Sequence, residues 1–104
     1  MSETVYYLTL GEVTQCTRVS EETVVTIVEQ GIVRPRGARP AEWRFEPPMV
    51  ATLRRACRLH CDLELDWAGV ALALELLEEV QQLRRDNNRL HRQLAALMET
   101  GDQE

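Results

Sequence analysis

A chain of 104 residues with 44% hydrophobic residues and a formal net charge of −5 has the composition of one ordinary globular domain and excludes wholesale disorder. The sequence holds no run of eighteen apolar residues, and Met1–Leu10 has neither a basic n-region nor an apolar core, so neither a membrane span nor a secretory leader is expected, and a cytoplasmic protein is. An acidic balance is also a poor default for nucleic acid, whose phosphates it repels at long range.

In chain order, Val5-Tyr6-Tyr7-Leu8 is a short β-type run. Thr9-x-x-Glu12 is a capping-box pattern that opens a helix of about eight residues through Cys16. Ser20 caps a second helix, with Glu21 and Glu22 in the first turn where the helix dipole favours anions. Val24, Ile27 and Val28 give that helix an apolar face, and Gly31 suits the position just past its end. Two short helices joined by a tight turn have helix-turn-helix spacing. Ile32-Val33 and Trp43-Arg44-Phe45 read as two short strands around a Pro- and Gly-rich loop, which makes a hairpin wing. Glu46-Pro47-Pro48 starts a third helix, on which Val50, Leu53, Ala56, Cys57 and Cys61 line one face. Leu63-Glu64-Leu65 breaks it from a fourth.

That last helix, Asp66 to Met98, is free of Pro and has one Gly, with Asp66 as its cap. Its expected length of about 48 Å exceeds what so small a domain can cover. Leu76, Leu83, Leu90 and Leu97 recur every seven residues, with Ala73, Val80, Asn87 and Leu94 at the other inward heptad position. Such a seam is buried only against another helix, and Asn87 within it sets register at a cost in stability. A homodimer is therefore expected. Glu79 with Arg84 and Asp86 with His91 suit a parallel pair; an antiparallel pair stays open. The expected division is a winged-helix domain over 1–65, a long helix with its seam over 66–99 and a frayed tail over 100–104. The fold class is mostly α: a winged helix-turn-helix with a small β-hairpin wing and a long C-terminal coiled-coil helix.

Charge divides the chain. Residues 1–30 carry five carboxylates against Arg18, whereas residues 31–45 carry Arg34, Arg36, Arg39 and Arg44 against Glu42. All twelve cations are Arg, so guanidinium groups carry every basic contact. The wing arginines are candidates for gripping a nucleic-acid backbone. The second helix argues against it: Glu21 to Gln30 holds three Glu and no cation, where a helix that reads the major groove presents Arg, Lys, Asn or Gln.

Catalysis has no motif to rest on. There is no phosphate-cradling Gly-rich loop, no HExxH and no GxSxG, and Asp62, Glu64 and Asp66 cluster where capping accounts for at least one of them. No enzyme activity and no cofactor are expected. Cys57, His60 and Cys61 share a helix, but a zinc site needs more ligands, and an odd count with Cys16 suits reduced thiols that pack as small apolar groups. No metal is expected.

Laid end to end, Ser20-Glu-Glu22, Ile27-Val-Glu-Gln-Gly-Ile-Val33 leading into Arg34-Pro-Arg36, Trp43-Arg-Phe45, Arg55-Ala-Cys-Arg-Leu59, Leu63-Glu-Leu-Asp-Trp67 and Ala71-Leu-Ala-Leu74 resemble the CbpM chaperone-modulator family. That family is similar in fold to MerR-type regulators, whose long helices pair antiparallel. The resemblance implies binding to the J-domain of a DnaJ-like co-chaperone of the CbpA type, blocking its stimulation of an Hsp70 (DnaK). The basic helix II of such J-domains suits an acidic competitor. From the residues alone, two acidic surfaces are candidates for that contact: Glu21, Glu22 and Glu29 on the second helix, and Asp62, Glu64, Glu75, Glu78 and Glu79 around the junction and the start of the long helix. Trp67 is the candidate apolar anchor, equally readable as a core residue. The alternative function is a MerR-like DNA-binding transcriptional regulator using the arginine wing.

Overall fold

The computed structural model describes residues 6–101, as helices α1 (Leu10–Thr17), α2 (Glu21–Glu29), α3 (Pro47–Leu63) and α4 (Trp67–Gly101), with a single 3₁₀ turn over Pro40–Glu42. The chain divides into two units, one ending at Leu74 and the other beginning at Glu75. Val5 of the β-type run and residues 102–104 of the expected tail lie outside the described residues; within them, Thr100 is still helical and donates its hydroxyl to Ala96 O at 2.9 Å.

In the first unit, each short helix is fixed at its ends by its own sequence. Thr9 Oγ1 accepts from Glu12 N at 3.2 Å, and Glu12 Oε1 accepts from Thr9 N at 2.9 Å. This reciprocal pair satisfies two otherwise orphaned donors, and the bond from the Thr9 backbone holds the Glu12 carboxyl below its ordinary pKa. Ser20 Oγ accepts from Thr23 N at 3.2 Å to start α2. At its far end Gly31, at φ +76°, donates to Val28 O, and Ile32 donates to Ile27 O. Both bonds of a Schellman turn are therefore made.

That turn corrects the expected wing. Ile32-Val33 forms no strand: the Ile32 N–H is used by the helix end, Val33 is buried in the core, and Pro35 has no N–H to offer a ladder. Pairing begins only at Arg36, which exchanges two backbone bonds with Arg44 at 3.1 and 2.8 Å. Among the described residues this pair and Leu8 with Phe45 are isolated antiparallel bridges rather than strands. The wing is thus one residue pair closed by the 3₁₀ turn.

The core is built from Leu10, Val13, Val24, Ile27, Val33, Trp43, Phe45, Val50 and Leu53. Trp43 meets Phe45 edge to face, with ring centroids 6.1 Å apart. On α3 the expected apolar face holds through Val50, Leu53 and Ala56, with Cys57 half-buried, but Cys61 is exposed. The last turn of α3 is covered on its His60 side, where Trp67 stacks on the imidazole, and not on the side of Cys61. The break that follows is a left-handed Glu64 at φ +53°. Asp66 then caps α4, its Oδ1 accepting from Gly69 N at 2.7 Å, and Val70 is fully buried.

The two glycines at positive φ differ in what surrounds them. A Cβ on Gly31 meets nothing within 4 Å, whereas one on Gly37, at φ +112°, falls 2.5 Å from Glu42 O. Gly31→Ala is expected to cost about 1 kcal/mol, the left-handed penalty alone. Gly37→Ala should cost about 2–3 kcal/mol, because strain and a backbone clash add; urea denaturation of the two variants checks the order.

Candidate interaction surfaces

Helix α2 is oriented by Val24 and Ile27, both fully buried. Their burial turns Glu21, Glu22 and Glu29 to solvent. None of the three has an ion-pair partner within 4 Å among the described residues. The outward face of this helix is therefore an uncompensated negative strip, with Thr23 and Thr26 turned back onto Ser20 and onto the Glu22 carbonyl.

The wing arginines are exposed but largely committed to neighbours. Arg36 lies 5.4 Å from the Tyr7 ring centroid and 4.0 Å from Glu46 Oε1. Arg39 Nε is 4.0 Å from Glu42 Oε1, and Arg44 Nη1 donates to Trp43 O at 2.9 Å. Arg34 is exposed. Two of the four cations thus already face a carboxylate of the same segment.

At the α3–α4 junction Asp62 and Glu64 are exposed, and Trp67 is half-buried against the core. The Trp67 ring lies 4.0 Å from the His60 ring at 12° to it, and His60 Nδ1 is bonded to Leu65 O. Leu63 and Leu72 stand 60% and 57% exposed, more than single apolar residues of a small core need. In the second unit Glu75, Glu78 and Glu79 are exposed. So is the seam: Leu76, Val80, Leu83, Leu90, Leu94 and Leu97 are 40–70% exposed, and Asn87 is exposed with them. Ala73, in the first unit, is half-buried.

The HTH family of MerR regulatory proteins matches this chain over residues 8–92. The chaperone modulatory protein CbpM of Pseudomonas entomophila is 58% identical over 76 residues, covering 73% of this chain and 75% of that protein. The protein of the same name from a Pseudomonas putida strain is 51% identical over 81 residues, 78% of this chain and 80% of that one. The one from an Escherichia coli O139:H28 strain is 34% identical over 95 residues, 91% and 94% of the two chains. The chain belongs to the CbpM chaperone-modulator family.

As a member of the CbpM family it joins a MerR-type helix-turn-helix to an α2 without a single cation, so the element that reads DNA in such folds presents carboxylates here. Relatives named as modulatory proteins are regulators rather than enzymes. Among the described residues no three His, Cys, Asp or Glu side chains are placed to share a metal ion, and no helix is long and apolar enough to cross a membrane.

Three features escaped the sequence. Arg54 Nη2 donates to Cys16 O at 3.0 Å and lies 3.3 Å from its Sγ, across 38 residues; Arg36 reaches Tyr7; and His60 stacks on Trp67 across the helix break. No local spacing announces such contacts.

The cysteines differ in environment. Cys16 and Cys61 are exposed, and burial, then the neighbouring Cys61, pushes the Cys57 thiol up. Because the thiolate is the reactive form, iodoacetamide near pH 8 should label Cys16 and Cys61 while Cys57 lags by about tenfold; peptide mass spectrometry reads the three rates.

Proposed function

We propose that this chain binds the J-domain of a DnaJ-like co-chaperone of the CbpA type and blocks its stimulation of the partner Hsp70, DnaK. The observation that carries this reading is membership of the CbpM family together with an α2 that is acidic and exposed where a DNA reader is basic. The J-domain surface offered to Hsp70 is basic, and a carboxylate surface competes for it by electrostatic complementarity. The contacts assigned to that partner are Glu21, Glu22 and Glu29 on α2, Asp62 and Glu64 at the junction with Trp67 beside them, and Glu75, Glu78 and Glu79 on α4. The DNA-binding alternative is not favoured, since Arg36 and Arg39 sit beside Glu46 and Glu42 and its recognition helix repels phosphate. The chain is proposed to act in the cytoplasm without a cofactor.

The same reading includes a homodimer through α4. Ala73, Leu76, Val80, Leu83, Asn87, Leu90, Leu94 and Leu97 form the proposed seam, and the exposure of its leucines supports a second copy as their cover.

Titration calorimetry with a purified J-domain tests the partner. Saturable binding that weakens with salt is expected, and the E75R/E78R/E79R variant should bind about tenfold more weakly at low salt. Unchanged affinity removes those three residues from the contact, and no binding at any salt removes the J-domain. For the dimer, sedimentation at micromolar concentration should give twice the chain mass of 11.9 kDa, and L83E/L90E should give a monomer.

A further inference from the structure

The distal half of α4 carries a second charged surface, of the opposite sign. In the heptad frame of the seam, Arg85 and Arg92 occupy f positions, Asn88 a b position and Arg89 a c position. These are outward positions, on the side of the helix away from Leu83 and Leu90. All are exposed and line one open groove along the helix. Their heads are partly organised: Arg85 Nη2 donates to Gln82 Oε1 at 2.7 Å, Gln82 Nε2 donates to Asp86 Oδ1 at 3.0 Å, and Arg89 Nη2 lies 3.6 Å from Asp86 Oδ1. Arg92 has no ion-pair partner among the described residues.

We propose that Arg85, Arg89 and Arg92 form a docking face for a short acidic helix of a partner protein. Three arginines at i, i+4 and i+7 match carboxylates at the same spacing on a helix lying alongside, and a planar guanidinium takes a carboxylate with two bonds. The face is also bounded. The f column reads Glu78, Arg85, Arg92, Glu99, so the outward positive track runs only about 10 Å before a carboxylate ends it on either side, and Asp86 on its flank faces Arg89 and, through Gln82, Arg85. A continuous polyanion such as duplex DNA overruns that track and meets Glu78 or Glu99; a segment of two helical turns does not. The outward placement keeps this face open when a second copy covers the seam. It is independent of the J-domain reading, because a basic surface does not take a basic ligand.

The test uses the intact chain and a labelled, alanine-rich helical peptide with Glu at i, i+4 and i+7, its Gln counterpart serving as control. Fluorescence anisotropy at about 50 mM salt should show saturable binding of the Glu peptide, weakening several-fold by about 200 mM as exposed charges are screened. The R85Q/R89Q/R92Q variant keeps good helix formers at outward positions, and an unchanged circular dichroism spectrum verifies its fold. It should lose about tenfold in affinity, the combined effect of three exposed pairs, whereas R34Q/R36Q/R39Q in the wing should bind the peptide as before. Equal binding of the Gln peptide, full affinity in the α4 variant, equal loss in the wing variant, or tighter binding of a short duplex DNA would each overturn the proposal.

Discussion

Phe45 is held from two directions, and the first unit depends on both. Its backbone exchanges two bonds with Leu8, each of 2.8 Å, which ties the segment before α1 to the end of the wing. Its ring is fully buried and meets the edge of Trp43. Around that fixed point α1 packs on α2 and on α3, and the inward turn of Val24 and Ile27 leaves the carboxylates of α2 outside. An acidic strip on α2 is thus the outer side of the same packing that buries the core. Removing a buried aromatic of this kind costs about 3–5 kcal/mol in proteins generally, a large share of what a domain this small possesses.

The charges of the chain are unevenly divided among its elements. Carboxylates predominate on α2, at the junction and in the first turns of the second unit, while arginines predominate in the wing, on α3 and in the distal half of α4, where Glu42 and Asp86 stand among them. Sorting of this kind contributes little to stability, because exposed ion pairs are weak. It does set which partner charges are steered toward each surface. A family of modulatory proteins built on a MerR-type fold fits that pattern: the scaffold is kept, and the helix that reads phosphate-flanked bases elsewhere exposes carboxylates here.

Much of the architecture was legible because its determinants are local. Thr9 and Glu12 stand three residues apart and bond as that spacing dictates; Ser20, Gly31, Pro47 and Asp66 mark boundaries through rules that act within one turn. The Ile32-Val33 strand misled because β-branched residues carry the same propensity whether they pair or pack. What decided it was competition for one N–H, used by the end of α2, and the burial of Val33. Cys61 misled because periodicity extends a face beyond the point where anything covers it. The heptads of α4 and the acidity of α2 were readable directly, as was the family. Contacts such as Arg54 with Cys16 or His60 with Trp67 join residues whose proximity only the folded backbone creates.

At Glu64 the backbone geometry and the proposed partner contact make opposite demands. An L-residue held at φ +53° carries a conformational cost of about 1–2 kcal/mol that glycine escapes, so the break between α3 and α4 is less robust than its own geometry permits. A thermostability screen blind to binding would favour Gly or Asn there and would delete a carboxylate from the proposed partner surface. The position therefore separates two engineering goals, a sturdier scaffold and a competent modulator, that a substitution at most exposed positions would leave compatible.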